Sequence, residues 1–445
     1  MVKIDVSKKI GGFKPVNGID NGPVCFGSLI DSTQYYKQAG FPYCRLHDTN
    51  WPHPREVDIP AIFKDFSADE TDPRNYDFRA TDIYLKQVIN TGAKIIYRLG
   101  VSIEHAKLKY YVDPPSDFDK WARICLNIAR HYNEGWADGY HLGIEYWEVW
   151  NEPDLCAEKR EDDMMWSGTP EQYFDLYAAT ARLFKKEMPY IKIGGYAACS
   201  LFRHSFFPVF FQYVKDNNLP LDFFSWHAYT ARIEDIKSGA QLARDTLDKY
   251  GFTNTISILD EWNYVNNLWP LSNYNAKVTC EKLTETMTET GASFTASALI
   301  EMLDLPVDIA TFYEGQPINI FGTIFDRFGV PTRQYYAFDA FNKVKQTGER
   351  VQTECDIKDM YVTAAADGDK KISILIANNN SQTDFYQYSI DDLCGDAEYL
   401  YEVYVMDKHR VFDKVEEKTC TVADIPNRIC MFQHSFALIC LTKKC

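Results

Sequence analysis

The sequence predicts a (β/α)₈ TIM barrel followed by an all-β sandwich domain, a prediction that rests on three observations. Short apolar strands alternate with amphipathic helices from about residue 24 to 344, a rhythm typical of parallel α/β folds. Eight strand candidates fall in this stretch, and no glycine-rich phosphate loop follows the first, which favours a closed barrel over a doubly wound open sheet. Beyond residue 344 the pattern changes to period-two alternation. We therefore expect a catalytic barrel at 11–344 and a β-sandwich at 345–445.

The predicted barrel strands are short apolar runs that end in polar or turn residues. They are Val24–Leu29, Tyr43–His47, Lys94–Leu99, Ile144–Trp150, Ile191–Tyr196, Phe223–His227, Ile256–Asp260 and Asp308–Tyr313. The helices expected around them are Asp82–Asn90, Phe118–Tyr132, Glu171–Lys186, Ile236–Tyr250, Ala276–Thr290 and Gln334–Val344. Phe13–Pro23, before the first strand, is rich in turn residues and is expected to be a loop.

The predicted sandwich domain contains strands with strict alternation of apolar and polar residues. Examples are Lys371–Ile376, Tyr399–Val405 and Phe436–Leu441, with hairpin chemistry at Ala366–Asp369. Val2–Ile10 also alternates. An open sheet needs its edges covered, so we expect residues 1–10 to complete this domain as an additional strand.

Composition and charge exclude some classes of partner. The 445 residues are 46% hydrophobic and 15% aromatic, and the formal net charge is −16. A nucleic acid or an anionic membrane attracts clustered Lys and Arg, so neither is an expected partner. A neutral ligand such as a sugar fits better, since the apolar faces of sugar rings stack on aromatic side chains. Homo-oligomer formation remains open.

The chain carries no sequence signal for export, for a membrane span or for a cofactor. Residues 1–6 lack a secretory apolar run, which predicts a cytoplasmic location. The 12 cysteines are scattered without paired spacing and are expected to be free thiols. No CxxC or HExxH motif occurs, so we expect no metal and no cofactor.

Two predicted strands end in a glutamate. Ile144–Trp150 continues into Asn151-Glu152-Pro153, and Ile256–Asp260 continues into Glu261. On the fourth and seventh strands of a closed barrel, both side chains would reach the shared C-terminal rim, where TIM-barrel active sites lie. Hydrolysis of a glycosidic bond needs two such carboxyl groups, and their separation decides between a retaining and an inverting mechanism.

These motifs resemble glycoside hydrolase family 39, the β-xylosidase family, within the clan of retaining glycosidases that share this barrel. The resemblance rests on Trp147–Leu155, Trp166–Tyr173, Asp222–Tyr229, Cys44–Asp48 and Phe321–Pro331. It spans about residues 13–344 and continues more weakly into the β-sandwich. The segment Asp48–Pro54 departs from the family's pattern, which leaves the identity of the sugar open.

The resemblance implies Glu152 as the general acid/base and Glu261 as the nucleophile. Physical reasoning agrees, because an ionised Glu261 and a partly desolvated pocket would raise the pKa of Glu152 and keep it protonated. Once Glu261 carries a sugar its charge is gone, so Glu152 can ionise and serve as the base. Asn151 is expected to bind a sugar 2-hydroxyl, although a turn residue would look the same in the sequence.

The remaining candidates are expected to bind substrate or to position the glutamates. Arg45 and His47 share one strand face: Arg45 would keep Glu261 ionised or pair with Glu148, and His47 would bind a hydroxyl. His227 and Tyr229 share a face on the sixth strand, and the resemblance implies that Tyr229 donates to the nucleophile. Further candidates for sugar binding are Trp51 and Trp262. Glu104, Glu148 and Glu314 are rival carboxylates. Glu148 is expected to lie too deep in its strand to reach a ligand, and Glu104 and Glu314 fall in rim loops, which suit binding better than acid catalysis.

The sequence therefore predicts a retaining exo-acting glycoside hydrolase that releases a terminal β-xylosyl residue from short oligosaccharides by double displacement. An arabinosidase, β-glucosidase or β-galactosidase of the same family is the alternative within this class. A carbohydrate-binding protein on an inactive barrel, or a scaffold role of the β domain, is the alternative outside it.

Overall fold

The structure is a computed structural model of the 445-residue chain. It describes residues 1–25, 30–49, 55–102, 109–155, 165–203, 205–266, 276–317, 322–382, 385–393, 395 and 397–444. Two bodies of β structure account for its strands, a closed eight-stranded barrel and a nine-stranded sheet.

The barrel is parallel throughout and closes between its first and last strands. Its strands are β2 (Gly18–Asp20), β3 (Tyr43–Leu46), β4 (Lys94–Leu99), β5 (Tyr146–Val149), β6 (Lys192–Ala198), β7 (Phe223–Thr230), β8 (Ile256–Tyr264) and β9 (Ile309–Phe312). Closure pairs Gly18 of β2 with Thr311 of β9. The predicted fold class, a TIM barrel with an additional β domain, is confirmed.

The prediction of the first strand is wrong. β2 lies at Gly18–Asp20, inside the segment expected to be a loop, whereas Val24 and Cys25 are not in a strand and 26–29 lie outside the described residues. Asn17, Gly18, Asp20 and Asn21 give this segment the composition of a turn. Asp20 is polar because it faces Arg45 inside the barrel, and that tertiary contact is invisible to a local pattern.

Helices cover the outside of the barrel. They are α1 (Thr33–Ala39), α2 (Ile59–Ile62), α3 (Arg79–Asn90), α4 (Phe118–Asn133), α5 (Pro170–Glu187), α6 (Phe207–Asp216), α7 (Ile233–Tyr250), α8 (Ala276–Met287), α9 (Glu289–Met302) and α10 (Arg333–Lys345). The start of α5 shows how the sequence sets a boundary. Thr169 and Gln172 form a reciprocal capping box and Pro170 occupies the first turn, where its missing N–H costs nothing.

The barrel interior is apolar at the bottom and polar above. Near the N-terminal ends of the strands, alternate side chains pack in an apolar layer that includes Ile96, Tyr146, Phe223, Ile258 and Ile309. Two residues further along the strands, the inward positions become polar. Strand alternation therefore places a packed apolar layer directly beneath the layer of polar side chains described below.

The nine-stranded sheet combines the C-terminal strands with the N-terminal one. Its order is β15 (Val411–Thr421), β14 (Glu398–Met406), β17 (Ser435–Lys443), β12 (Lys371–Asn378), β11 (Met360–Asp367), β10 (Glu349–Cys355), β1 (Val2–Gly11), β13 (Phe385–Asp391) and β16 (Arg428–Cys430). β1 thus pairs with β10 and β13. The domain boundaries after residues 10 and 344 stay a prediction.

This sheet folds over on itself and also packs on the barrel. Tyr388 of β13 and Tyr401 of β14 are far apart in the strand order, yet their hydroxyls lie 3.0 Å apart. In β12, Ile372, Ile374 and Ile376 face this sandwich core, whereas Leu375 joins the core of the barrel. Burial of both faces explains why β12 is almost continuously apolar.

Two further features concern the chain as a whole. The nine cysteines that the structure describes form no disulfide bond. A helix of the length and apolar character needed to cross a bilayer does not occur among the described residues.

Candidate active site

Glu152 and Glu261 meet at the C-terminal rim of the barrel. One carboxylate oxygen of each, together with a ring nitrogen of His227, lie within 4.8 Å of one another. Glu152 is 8% exposed and Glu261 is 4% exposed. The two strand-end glutamates, 109 positions apart in the sequence, therefore share one largely buried site.

The backbone after β5 turns two consecutive side chains into this site. In a regular strand Asn151 and Glu152 would point to opposite faces. Trp150 and Glu152 adopt positive φ angles of 72° and 46°, in the left-handed region that non-glycine residues rarely occupy. This break in the strand lets Asn151 reach Arg45 and Glu152 reach His227.

A β-bulge in β8 does the same for Asp260 and Glu261. Trp226 of β7 pairs with Leu259, but the next residue, His227, pairs with Glu261, so Asp260 is the extra residue. Alternation from Ile258 already points Asp260 inward, and the bulge re-aims Glu261 to the same side. Two adjacent carboxyl groups thus enter the barrel from one strand.

Both oxygens of Glu261 accept hydrogen bonds. Arg45 Nη1 donates to Oε1 at 2.8 Å and the Tyr229 hydroxyl donates to Oε2 at 2.5 Å. Arg45 Nη2 also donates to the Asn151 side-chain oxygen at 2.7 Å, so the amide NH₂ of Asn151 is turned away from Arg45. A guanidinium and a short hydroxyl bond stabilise a carboxylate in its ionised form.

Glu152 has a different environment. Its Oε1 lies 2.8 Å from His227 Nδ1, and the Cys199 thiol is in hydrogen-bonding contact with the same carboxyl group. Burial lowers the pKa of His227 to about 4, so this imidazole is neutral near pH 7. Burial, with the charge of Glu152, raises the pKa of the nearby Asp154 to about 7. A carboxyl group beside a neutral imidazole and a thiol is suited to carry a proton.

Arg45 is the centre of a buried ionic group that we call the Arg45 cluster, formed by Arg45 with Asp20, Glu148, Asp260 and Glu261. The nitrogen–oxygen distances from Arg45 are 3.4 Å to Asp20, 2.7 Å to Glu148, 3.0 Å to Asp260 and 2.8 Å to Glu261. The ion pair with Glu148, weighed from the sequence as an alternative role for Arg45, coexists with the contact to Glu261. Arg45, Asp20, Glu148 and Asp260 are fully buried.

The carboxyl groups of the Arg45 cluster differ in ionisation. Burial, opposed by Arg45, raises the pKa of Asp20 well above its ordinary value, and burial together with the charge of Glu148 does the same for Asp260. Burial also disfavours ionised Glu148, but the charge of Arg45 and hydrogen bonds outweigh it and lower the pKa of Glu148.

The tautomer of His47 follows from Arg98. Arg98 Nε donates to His47 Nδ1 at 3.1 Å, and because a guanidinium can only donate, the proton of a neutral His47 must be on Nε2. His47 Nε2 lies 3.3 Å from Asp48 Oδ1 and 3.7 Å from Glu261 Oε1. Arg98 is itself held by Asp58 at 2.7 Å. His47 therefore presents an N–H donor beside Glu261.

The structure brings most of the predicted site residues together. These are Arg45, His47, Asn151, Glu152, His227, Tyr229 and Glu261. Trp262 is not among them: it is 0% exposed and packs outward against Phe312 and Phe338, because the residue after inward-facing Glu261 points to the helices. Trp51 and Glu104 lie outside the described residues. Of the other rival carboxylates, Glu148 bonds to Arg45, and Glu314 is fully buried beside Asn21.

Several residues of the site were missed in the sequence. Asp20, Asp260, Arg98 and Asp58 are all buried and ionisable, yet none of them is assigned to the site from the sequence. A signal existed for two of them. Arg98 is the charged residue near the end of an otherwise apolar strand, and Asp260 directly precedes Glu261. A charge inside a buried strand is rare unless it is paired, so it points to an interior network.

In the part of the chain that the structure describes, the donor atoms that could hold a metal ion belong to this same site. Glu152, His227 and Glu261 offer one nitrogen and two carboxylate oxygens within 4.8 Å. These groups are already hydrogen-bonded to one another, to Arg45 or to Tyr229. Two carboxyl groups at this separation can perform acid/base and nucleophilic chemistry on a glycoside without a metal.

Comparison with known proteins gives the family. The model of the glycosyl hydrolases family 39 matches residues 33–264, which is more than half of the chain and includes Arg45, Asn151, Glu152, His227, Tyr229 and Glu261. The chain belongs to glycosyl hydrolase family 39. The family resemblance inferred from the sequence is thereby confirmed.

Relatives of this family 39 protein are named β-xylosidases. The chain is 23% identical over 321 residues to a β-xylosidase of Caldicellulosiruptor saccharolyticus, covering 67% of this chain and 59% of that protein. It is 32% identical over 212 residues to a β-xylosidase of Geobacillus stearothermophilus, covering 44% and 38% respectively. The matches thus span less than two thirds of either relative's length.

Solved structures share the whole fold of this family 39 protein. A glucosidase from Croceicoccus marinus has a TM-score of 0.81 at 24% identity and covers 100% of this chain and 99% of its own. A monomeric β-xylosidase from Caulobacter crescentus has a TM-score of 0.73 at 16% identity and covers 99% of both chains. At these identities the likeness establishes the fold alone.

Proposed function

We propose that this protein is a retaining, exo-acting glycoside hydrolase that releases a terminal β-xylosyl residue from short oligosaccharides. The observation that carries the proposal is the approach of a Glu152 oxygen to a Glu261 oxygen within 4.8 Å. Carboxyl groups about 5–5.5 Å apart are typical of retaining glycosidases, whereas inverting enzymes need roughly 6.5–9.5 Å to admit a water molecule.

In the first step Glu261 attacks the anomeric carbon. Arg45 and Tyr229 hold its two oxygens, so the nucleophile is ionised and oriented before the substrate arrives. Glu152 protonates the leaving oxygen, and the C–O bond to the leaving group breaks as the bond to Glu261 forms. A covalent glycosyl–enzyme ester results.

In the second step Glu152 changes role. Esterification removes the negative charge of Glu261, so ionisation of Glu152 becomes easier. Glu152 takes a proton from an incoming water molecule, which attacks the anomeric carbon and releases Glu261. Two inversions give a product with the anomeric configuration of the substrate.

Asn151 and His47 are proposed to bind sugar hydroxyl groups. Arg45 fixes the Asn151 side-chain oxygen, which leaves its NH₂ as a donor near both glutamates. Arg98 fixes the His47 tautomer, which leaves Nε2–H as a donor beside Glu261. Donors fixed in advance lose little conformational freedom when the substrate binds. Trp51 is retained as a candidate for sugar stacking, whereas Trp262 is not.

The choice of a xylosyl group rests on the two relatives, both named β-xylosidase. A glucosyl group is the second candidate, because the glucosidase from Croceicoccus marinus has a TM-score of 0.81, above the 0.73 of the β-xylosidase from Caulobacter crescentus. Arabinosyl and galactosyl groups are further alternatives within the class.

A panel of nitrophenyl glycosides tests the proposal. β-Xyloside, β-glucoside, β-galactoside and α-arabinofuranoside are incubated with the protein, and the first-formed sugar is followed by proton NMR. We expect fastest turnover of the β-xyloside and initial release of the β-anomer. The Glu261→Ala protein is the matched control for contaminating activity. Release of the α-anomer would refute the retaining mechanism, and preference for another glycoside would refute the xylosyl assignment.

The alternative from another class is a sugar-binding protein without activity. It predicts binding of xylo-oligosaccharides by calorimetry with no turnover of any panel member. Both glutamates and their hydrogen-bonding partners are in place, which supports the enzyme instead. A cytoplasmic location, the absence of a nucleic-acid partner and any homo-oligomer stay predictions, which cell fractionation and light scattering can test.

A further inference from the structure

We propose that Asp260 is a neutral carboxylic acid that donates its proton to Glu148, and that it thereby positions Arg45 on Glu261. Asp260 does not touch the substrate in this account. It acts through its contacts with Arg45 and Glu148, and Arg45 in turn contacts Glu261.

The charge balance of the Arg45 cluster supports this proposal. Four carboxyl groups lie within 3.4 Å of a single guanidinium, and Asp20, Glu148 and Asp260 are fully buried with it. Four ionised carboxylates against one cation would leave three uncompensated negative charges out of reach of water. Buried charge without a partner is strongly unfavourable, so some of these groups must hold protons.

The hydrogen bonds identify Asp260 as one of the protonated groups. Arg45 Nε directs its hydrogen to Glu148 at 2.8 Å, so Asp260 Oδ2 lies near this nitrogen at 3.0 Å without receiving a well-directed bond. Both oxygens of Asp260 and Oε1 of Glu148 lack a donor of good geometry among the described residues. A proton on one Asp260 oxygen, donated to Glu148, gives each of the two side chains a hydrogen-bond partner.

The ionisation tendencies of the two groups agree with this geometry. Burial and the charge of Glu148 raise the pKa of Asp260. In Glu148 burial is outweighed by Arg45 and by the hydrogen bond with Asp260, so its pKa is lowered. Asp20, also with a raised pKa, faces Arg45 from β2, and His227 Nε2 faces Asp260 Oδ1 from β7 at 3.5 Å. The neutral imidazole of His227 does not offset the charge of an ionised Asp260.

Neutral Asp260 has a consequence for catalysis. With Asp20 and Asp260 protonated, Arg45 has two anionic partners, Glu148 and Glu261. Glu148 forms an ion pair with the guanidinium, and Nη1 of the same guanidinium donates a hydrogen bond to Glu261. An ionised Asp260 would compete for Arg45 and would repel the negative charge of Glu261, which directly follows it in β8.

Amide substitutions test the protonation states through activity. Asn resembles a neutral Asp and can still donate to Glu148, so Asp260→Asn should keep kcat/KM within about tenfold of wild type, whereas Asp260→Ala should lose about 10–100-fold. Glu148→Gln is the matched variant of the group that accepts this proton. Its kcat/KM should fall more than about 100-fold, because the substitution removes an ionised partner of Arg45. A loss in Asp260→Asn equal to that in Glu148→Gln would overturn the proposal.

Isotope-edited infrared spectroscopy tests the same point without activity. The activity arm rests on the proposed glycosidase function, and this arm does not. Protein labelled with ¹³C at the aspartate carboxyl carbons should show protonated-acid bands above pH 8. Asp20→Asn should retain the band of Asp260, and Asp260→Asn should retain only the band of Asp20. If Asp260→Asn fails to fold, the Asp20→Asn protein decides alone: absence of any protonated aspartate band overturns the proposal.

Discussion

The two strand ends that supply the glutamates place them in opposite surroundings. At the end of β8, Glu261 is bound by a cation and a tyrosine hydroxyl. At the end of β5, Glu152 lies beside a neutral imidazole and a thiol, with Asp154 close by. The same residue type thus accepts hydrogen bonds from a cation and a hydroxyl at one strand end, and at the other it lies in surroundings that suit a proton donor. The difference between the two roles lies in the neighbours.

Irregular backbone produces both environments. Positive φ angles at Trp150 and Glu152 break the alternation after β5, and a bulge at Asp260 breaks it in β8. Regular strands would present only alternate residues to the barrel interior. Departures from regular geometry at these two ends therefore bring Asn151 with Glu152, and Asp260 with Glu261, into one site.

The largest effect on activity is expected when the carboxylate of Glu261 is removed. Glu261→Ala should lower kcat about 10⁴–10⁶-fold on every glycoside, because no covalent intermediate can form. Added azide should restore turnover and give a glycosyl azide of inverted configuration, measured by NMR. A residual activity within tenfold of wild type would contradict the assignment of Glu261 as the nucleophile.

Loss of the other glutamate should depend on the leaving group. Glu152→Ala should lower kcat/KM about 10²–10⁴-fold on glycosides with poor leaving groups, since proton donation is lost, and far less on a dinitrophenyl glycoside. Here azide should give a product of retained configuration. Equal losses on good and poor leaving groups would argue against Glu152 as the acid.

A pair of tyrosines separates positioning of Glu261 from other contacts. Tyr229 donates a hydrogen bond to Glu261, whereas Tyr313 donates one to Asp48. The ring centroids of the two tyrosines lie 6.3 Å apart. Tyr229→Phe should lower kcat about 10–100-fold with a smaller change in KM, because a donor to the nucleophile is lost. Tyr313→Phe is the matched control and should change KM more than kcat. The reverse pattern would contradict these assignments.

The smallest expected effect is on stability and concerns Asp154 beside Glu152. Its pKa is raised from 3.8 to about 7, so the folded state favours the protonated form. The stability that this gives is present below pH 4 and is lost as pH rises through 7, by on the order of 2–4 kcal/mol.

Asp154→Asn should remove this contribution to the pH dependence. The measurement is the free energy of unfolding in urea at pH 5 and pH 8, compared between variant and wild type. Loss of one backbone hydrogen bond to Asp154 shifts both values equally and cancels in the difference. Asp216→Asn, at the exposed end of α6, is the control. An unchanged pH slope in Asp154→Asn would contradict the raised pKa.

The sequence predicted those features that depend on local pattern. Apolar runs located seven of the eight barrel strands, because those strands are buried on both faces. Asn151-Glu152-Pro153 and Glu261 stood out because a polar cluster at the end of an apolar strand breaks the pattern. Arg45 and His47 were found by alternation from one another, and both do face the barrel interior.

Features that depend on tertiary contacts were not predictable in the same way. Asp20 gave β2 the composition of a turn, because the buried contact of Asp20 with Arg45, 25 residues later, leaves no trace in the local pattern. The bulge at Asp260 has no local signal, so period-two reasoning could not assign both Asp260 and Glu261 to one face. For the same reason Trp262, the neighbour of an inward residue, was wrongly grouped with the sugar-binding candidates by sequence position alone.

Covalent trapping of the glycosyl–enzyme intermediate decides whether Glu261 is the nucleophile. The best glycoside of the panel is prepared as its 2-deoxy-2-fluoro analogue with a dinitrophenyl leaving group, and the inactivated protein is digested and mapped by mass spectrometry. We expect one attached fluorosugar, on the peptide that contains Glu261 and on that side chain. A label on Glu152 or on any other carboxyl group would contradict this assignment.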